Sequence, residues 1–385
     1  MVTDASDDYD PKNPPQGTLR HGVLTEGPVW IIFQGDMVIN LKHELFVSGD
    51  TTIDGRGANV QITGAGCITL LSVTNVIIHN LLIYNCRPSP ANDVVELNQG
   101  LTEPVSPSDG DAISVQKSRD VWIDHCILAN CADGLIDVTQ GSTAVTVSNN
   151  RFTHHDKVML LGHEDDDKDD AGMQVTVAFN VFGELLGQRM PRCRTGYFHV
   201  VNNDYTGWII YAVGGSGSPT INCQGNRFKA PDNPHAKEIT KRIDAAKDWK
   251  SWNWRSTDDV LLNGAFFVHS GEQDSDDPYK QATSSVGVKS GSQVEQLTGN
   301  VGVLGLTGGG SGVVDNIPGI IQFNPNTIVY EGGGPTPDGG GGLTQSDQDN
   351  NSSPKTIFAV IGVLLLFALV GCGVYYAKRK KDDEK

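Results

Sequence analysis

The chain has 385 residues and a formal net charge of −17, which excludes non-specific nucleic-acid binding, because that needs a basic face. Its 45 glycines, its many Val, Thr, Ile and Asn residues and its lack of long amphipathic helical stretches exclude a helical bundle and favour an all-β chain. An acidic ligand fits this balance only where a metal or a local cluster of Arg and Lys intervenes.

In chain order, Met1-Val2-Thr3-Asp4 runs into Asp7-Asp8-Tyr9-Asp10 with no basic n-region and no apolar h-region, so no signal peptide is read there. From about residue 28 a repeat begins. An apolar residue is followed three positions on by a residue that is usually Asn, then two further on by Leu, Phe or Tyr. The instances are Ile77/Asn80/Leu82, Ile123/Cys126/Leu128, Val147/Asn150/Phe152, Val177/Asn180/Phe182, Val200/Asn203/Tyr205 and Cys223/Asn226/Phe228. The Asn-type positions step by 46, 24, 30, 23 and 23, with 46 read as two turns of 23. A period near 23 with short β runs and Asn-bearing turns predicts a solenoid of stacked coils, a right-handed parallel β-helix, over a sandwich with regular strand spacing.

Two insertions interrupt the period, and in solenoids such insertions become loops on one face. One covers residues 88–108. The other holds the acidic run His163-Glu164-Asp165-Asp166-Asp167-Lys168-Asp169-Asp170, which is expected to be a solvated loop.

Between them lies the densest charge. Asp109 and Asp111 sit two apart and Asp133 and Asp137 four apart, in strand-like sequence that would put each pair on one side of a strand. Unpaired carboxylates in half-buried strands are costly, and a hard cation such as Ca2+ would explain them by taking several carboxylate oxygens at once. The stretch closes on Arg189-Met190-Pro191-Arg192-Cys193-Arg194.

The seven cysteines show no zinc-type spacing. Cys372 lies in an apolar run; the other six could pair in an oxidising compartment or stay as buried thiols, and their spacing does not choose.

Five segments are expected: a β-helix domain over 1–285, a Gly/Ser/Val-rich extension over 286–331, a flexible linker over 332–355, a transmembrane helix over 356–377 and a basic cytosolic tail over 378–385. The linker carries two Asn-x-Ser sequons, at Asn350 and Asn351. The stretch Ile357–Ala377 has 21 residues without a charge, which spans a bilayer. Tyr375 and Tyr376 sit at its interface and Lys378-Arg379-Lys380-Lys381 follow, so the positive-inside rule places the tail in the cytosol and the β domain outside. An outside domain needs an export signal, so the expectation is that Met1 lies downstream of the true start.

The motifs GTLR (17–20), WIIF (30–33), TIDGRGANV (52–60), DGDAI (109–113), VWIDH (121–125), NCADGLID (130–137), VMLLGH (158–163), QRMPRCR (188–194) and WNWRS (252–256), in this order, resemble the plant-type pectate lyases of polysaccharide lyase family 1. The resemblance implies a pectin-lyase-like solenoid that cleaves polygalacturonate, demethylated pectin, by Ca2+-dependent β-elimination. It implies that Asp109, Asp111, Asp133 and Asp137 hold the Ca2+, that Arg189 is the catalytic base, and that Lys157 and Arg194 bind substrate and lower the proton affinity of Arg189, with Arg192 a weaker candidate. Asp124 and His125 read as structural, bonding turn amides. The protein is expected to act as a monomer at the cell surface, on the cell-wall side. One departure stands out. The family's Ser-Pro-x-His-x-Gly-x-Arg pattern is replaced by Glu96-Leu97-Asn98-Gln99-Gly100-Leu101-Thr102-Glu103-Pro104 at the border of the cleft, which motivates an alternative, a catalytically weak pectin-binding β-helix protein. An inverting polygalacturonase would need clustered acids but no essential arginine, and a pectin lyase would not need the four acids.

Overall fold

The apolar positions of the repeat form columns. Val76, Val121, Val145, Val175, Phe198, Ile221 and Trp254 are register partners on successive parallel strands, and all are buried. Residues one position along each strand point outward, as the two-residue period of a strand requires. The computed structural model describes residues 1–8, 10–89, 107–243, 248–271 and 286–305, which belong to one compact unit, Met1–Gly334. Among them are two sheets of nine strands and one of eight, whose strand order follows the chain, plus a two-stranded side sheet of His155–Lys157 and Leu186–Gln188. Each coil hands one strand to each long sheet in turn, which makes a parallel β-helix.

The turn from the first to the second sheet is held by an amide ladder. Asn150 Oδ1 accepts from Cys126 N–H, Asn180 Oδ1 from Asn150 N–H, Asn203 Oδ1 from Asn180 N–H and Asn226 Oδ1 from Asn203 N–H, at 2.8–2.9 Å. Asp259 Oδ1 ends the series by accepting from Asn226 N–H at 2.6 Å. Buried backbone donors that a turn would orphan are thus satisfied coil by coil. Beside the ladder Phe152, Phe182, Tyr205 and Phe228 stack with centroids 5.1, 4.6 and 4.4 Å apart. Each such ring contributes roughly 1.5–3 kcal/mol by burial.

Two details of the repeat are corrected. Asn80 is not in the ladder: Ile123 is in register with Ile78 and Ile127 with Leu82, so Leu81 holds that position. Asn80 Oδ1 instead accepts from Leu304 N–H at 2.6 Å. The long step is also one coil rather than two, because Thr74–His79 pairs directly with Arg119–Asp124 at an offset of 45 residues, as in the Asn85–Asn130 side-chain pair. Backbone pairing leaves no room for a strand between them, so the extra residues lie in the insertion.

At the N-terminal end the short helix Leu19–Val23 covers the first coil, with Thr18 capping it. Arg20 makes a buried two-pronged bond to Asp7, at 2.8 and 2.7 Å. Covering this end removes a sheet edge that could otherwise pair with another chain. Residues 286–305 run back along the outside of the second sheet: Lys289 exchanges hydrogen bonds with Asn202, and Val303 packs with Leu82, Tyr84, Ile127 and Ala129. Cys67 and Cys86 form a disulfide, while Cys126, Cys131, Cys193 and Cys223 are buried thiols. No helix among the described residues is long and apolar enough to cross a membrane. The expected linker, transmembrane segment 356–377, tail, both sequons, Cys372 and the 96–104 loop lie outside the described residues.

Candidate active site

The four acids meet, but not as strand pairs. Asp109 and Asp111 lie in the extended approach to Ile113–Gln116, and Asp133 lies in the bend before Ile136–Thr139. Only Asp137 is inside a strand. The pairing into a cradle is therefore made by turns of two successive coils, since Ile136–Thr139 and Ile113–Gln116 are adjacent in the third sheet. Carboxylate oxygens of Asp109, Asp111 and Asp133 lie within 4.8 Å of one another.

Asp137 joins them through Gly134. A β-carbon on Gly134 would stand 2.3 Å from Asp137 Oδ1 and 2.9 Å from Asp111 Oδ1. Only a residue without a side chain lets both carboxylates approach. Asp137 is half-buried as a residue, yet its Oδ1 atom is enclosed and accepts no hydrogen bond from the described residues. Asp111 is nearly fully buried; its Oδ1 accepts from Gly134 N–H at 2.7 Å and its Oδ2 from Ser114 Oγ at 2.6 Å.

Burial and mutual repulsion raise the proton affinity of this group. Asp111 is pushed up to about 7, by burial first and by the Asp109 charge second, against the Ser114 hydrogen bond. Asp109 is exposed at the rim of the group, and its carboxyl is raised by partial loss of water and then by Asp133. Asp137 is raised well above the carboxylate range by burial and then by Asp111 and Asp133, with Arg189 opposing. A cluster of oxygen donors whose charges repel, one of them orphaned, fits a hard cation that would replace the missing partners.

The cations come from the facing coils. Lys157, at the end of His155–Lys157, donates from Nζ to Asp133 Oδ1 at 3.2 Å. Arg189 follows Leu186–Gln188 in the left-handed region at φ 61 and is 8% exposed. Its carbonyl accepts from Met159 N–H at 2.8 Å, which ties it to the coil before. Arg194 is engaged elsewhere: Nε donates to Asp165 Oδ1 at 3.2 Å, and Nη1 to the carbonyls of Gly162, at 2.7 Å, and His163. Burial lowers the Arg194 pKa first, and Arg192 adds to this. Arg192 lies on the outward face of the third sheet in line with Asp137, through Leu160.

Sequence reasoning missed several supporting residues. The buried His155 places Nε2 2.5 Å from the Asp133 carbonyl, an acceptor, so Nε2 carries the proton; burial pulls its pKa down to about 4 and keeps it neutral. Glu44 accepts from Thr69 Oγ1 and is pushed up to about 7 by burial, with Asp109 adding to it. Neither carries a periodic or pairing signal in sequence. The acidic run is also not simply solvated. Asp170 is fully buried and accepts from Gly141 N–H at 2.7 Å and His163 N–H at 2.5 Å, and Asp165 takes Ser216 Oγ at 2.6 Å besides Arg194. The run folds into a closed loop because two of its acids satisfy backbone and side-chain donors within it and on the coils before and after it.

Residues 40–258 match the family model described as Pectate lyase. The chain belongs to the pectate lyase family. It is 56% identical over 307 residues to "Probable pectate lyase 13" of Arabidopsis thaliana, covering 79% of this chain and 59% of that one, and so spans less than two thirds of that relative's length. It is 53% identical over 346 residues to "Probable pectate lyase 12" of the same organism, covering 87% of this chain and 70% of that one. Among solved structures it is similar to jun a 1, the major allergen from cedar pollen, with a TM-score of 0.74 and 49% identity over 78% of this chain and 87% of that one. The parallel β-helix described above is thus shared with a solved structure over most of its length.

Proposed function

We propose that this member of the pectate lyase family cleaves (1→4)-α-D-galacturonan by Ca2+-dependent β-elimination and leaves 4,5-unsaturated oligogalacturonides. The observation that carries the reading is the convergence of Asp109, Asp111, Asp133 and Asp137 around Gly134, with Asp137 Oδ1 unbonded and the Arg189 charge acting on that carboxylate. These four acids would hold the ion. When bound, Ca2+ supplies Lewis-acid neutralisation of the sugar carboxylate, and with it a way for a chain of net charge −17 to hold a polyanion.

In the reaction the C5–H bond breaks, its electron pair forms the C4–C5 double bond, and the C4–O4 bond breaks so that O4 leaves and takes up a proton. C5 is a weak carbon acid, so its acceptor must be strongly basic or the developing charge strongly stabilised. Arg189 is assigned the C5 proton. A guanidine is an intrinsically strong base, and its rarely populated neutral form is favoured by cations crowded beside it in a water-poor cleft. Arg194 provides that crowding, since the Arg189 charge is among the causes that lower the Arg194 pKa and the repulsion is mutual. Lys157 is assigned a substrate carboxylate, which requires it to exchange its contact with Asp133 for one with the sugar acid. Arg194 is assigned a second carboxylate, reached from its anchor on Asp165.

The same reading has the protein act as a monomer held at a membrane by residues 356–377, with the β-helix on the cell-wall side; protease shaving of intact cells tests that side. The activity is tested by ultraviolet absorbance of the unsaturated product from polygalacturonate, with Ca2+ and with a chelator. Absence of product from folded protein in Ca2+ would sink the lyase reading. Polygalacturonate binding without product would assign the chain to the pectin-binding alternative.

A further inference from the structure

A second group of metal-ligating side chains lies at another corner of the coil, where the first sheet turns into the second. His79 ends the strand Thr74–His79, Asp124 ends Arg119–Asp124, and the two are direct register partners. His125 follows with φ 51, and this left-handed step brings its ring beside its neighbour's carboxylate. His79 Nδ1 and His125 Nδ1 both lie on Asp124 Oδ2, at 2.9 and 2.6 Å, with ring centroids 5.4 Å apart. The remaining oxygen, Oδ1, is held from the next coil by Ser148 Oγ at 2.6 Å and Asn149 Nδ2 at 2.8 Å, and Ser148 Oγ accepts from Trp122 Nε1 at 2.9 Å. Asp124 is therefore bonded to side chains rather than to the turn amides expected from sequence.

This arrangement is asymmetric in a useful way. One carboxylate oxygen is fixed by the surrounding structure, while the other is shared by two imidazole nitrogens that hydrogen-bond to it and, among the described residues, to no other group that would have to be displaced. A carboxylate anchored through its non-ligating oxygen is how outer-shell residues orient a metal ligand. The side chains of His79 and His125 remain 15% and 21% exposed, so an ion can enter. Two imidazoles and one carboxylate suit a borderline divalent transition ion rather than Ca2+, which prefers oxygen throughout.

We propose that His79, Asp124 and His125 form a binding site for such an ion, Zn2+ in the first instance, separate from the acid cradle. The two histidines ligate through Nδ1 in the tautomer that carries its proton on Nε2, and Asp124 ligates through Oδ2. The donor atoms must open from 2.9 and 2.6 Å to about 3.3 Å, the edge of a tetrahedron around an ion at about 2.0–2.1 Å. A fourth position is left for water. The ion pins together two strands that are consecutive in the sheet but 45 residues apart in sequence, the offset also seen between Asn85 and Asn130, so it closes the longest coil described, where a clip restrains the unfolded chain most.

The proposal does not depend on the lyase reading, and its test reads metal binding rather than turnover. Zn2+ alone is titrated calorimetrically into the metal-free full chain and into a doubly substituted chain, Asp111→Asn with Asp133→Asn, which weakens the acid cradle. One Zn2+ per chain is expected in both. His79→Gln and His125→Gln, each keeping an amide beside Asp124, should weaken binding by at least about tenfold and abolish the rise in melting temperature that Zn2+ gives the parent. If one Gln variant does not fold, the other decides. No Zn2+ binding by the parent, or binding that the folded Gln variants retain, overturns the site.

Discussion

Gly134 and Asp137 occupy one volume: the place where a β-carbon of residue 134 would stand is 2.3 Å from Asp137 Oδ1. The cradle therefore depends on a missing side chain as much as on four present ones. Gly134→Ala should push the Asp137 and Asp111 carboxylates apart. Misplacing a reacting group by about an ångström costs on the order of 10²-fold in rate, and a loss of that size is expected in product absorbance at fixed Ca2+. A Gly134→Ala protein with parental Ca2+ affinity and parental rate would contradict the shared cradle.

Ca2+ binding should be pH-dependent through Asp111. Its carboxyl is pushed up to about 7, chiefly by burial, and only the carboxylate ligates. Affinity should climb as pH rises towards about 7 and level off above it. The stability sign follows. An acid whose folded pKa is raised contributes stability at low pH that is lost as pH rises through the folded value. Bound Ca2+ would relieve that loss, so chelation should lower the melting temperature more at about pH 8 than at about pH 6. Equal effects of chelator at both would argue against Asp111 as a ligand.

Arg189→Lys keeps a charge but removes the planar guanidinium and its basicity. If Arg189 takes the C5 proton, kcat should fall by about 10²–10⁴-fold, with KM changed far less. Full activity in the Lys variant would instead favour a hydrolytic mechanism on the same acids.

Asp259 closes the asparagine ladder with a carboxylate that accepts from Asn226 N–H at 2.6 Å and from Ser256 Oγ at 2.6 Å. Burial pushes it up to about 6, against these hydrogen bonds. Its ionised form is thus disfavoured in the fold, and stability is lost as pH rises through about 6. Asp259→Asn continues the ladder without a charge. It should raise stability by roughly 1–3 kcal/mol at about pH 7 and by little below about pH 4, read from denaturant midpoints at the two values. A variant less stable than the parent at about pH 7 but not below about pH 4 would show that the charge itself is needed.

The chain's sequence by itself determined the solenoid, the ladder from Asn150 to Asn226 and the set of acids and cations, because each is a local periodicity or a local density of charge. Val147, Asn150 and Phe152 announce their roles within one coil, and the next coils repeat them. What the tertiary structure decided is everything set between coils. The insertion after Arg87 hides the register, so Asn80 read as a ladder residue although Leu81 holds that place, and one long coil read as two. The pairing of Cys67 with Cys86 depends on which turns meet. The acids Asp109, Asp111, Asp133 and Asp137 looked like strand pairs, yet turns bring three of them together, and the missing side chain of Gly134 admits the fourth. Sequence spacing gives the side of a strand on which a residue lies. Only backbone pairing between coils fixes which oxygen faces which, and it is those contacts that raise the carboxyl pKa values and leave Asp137 Oδ1 without a partner.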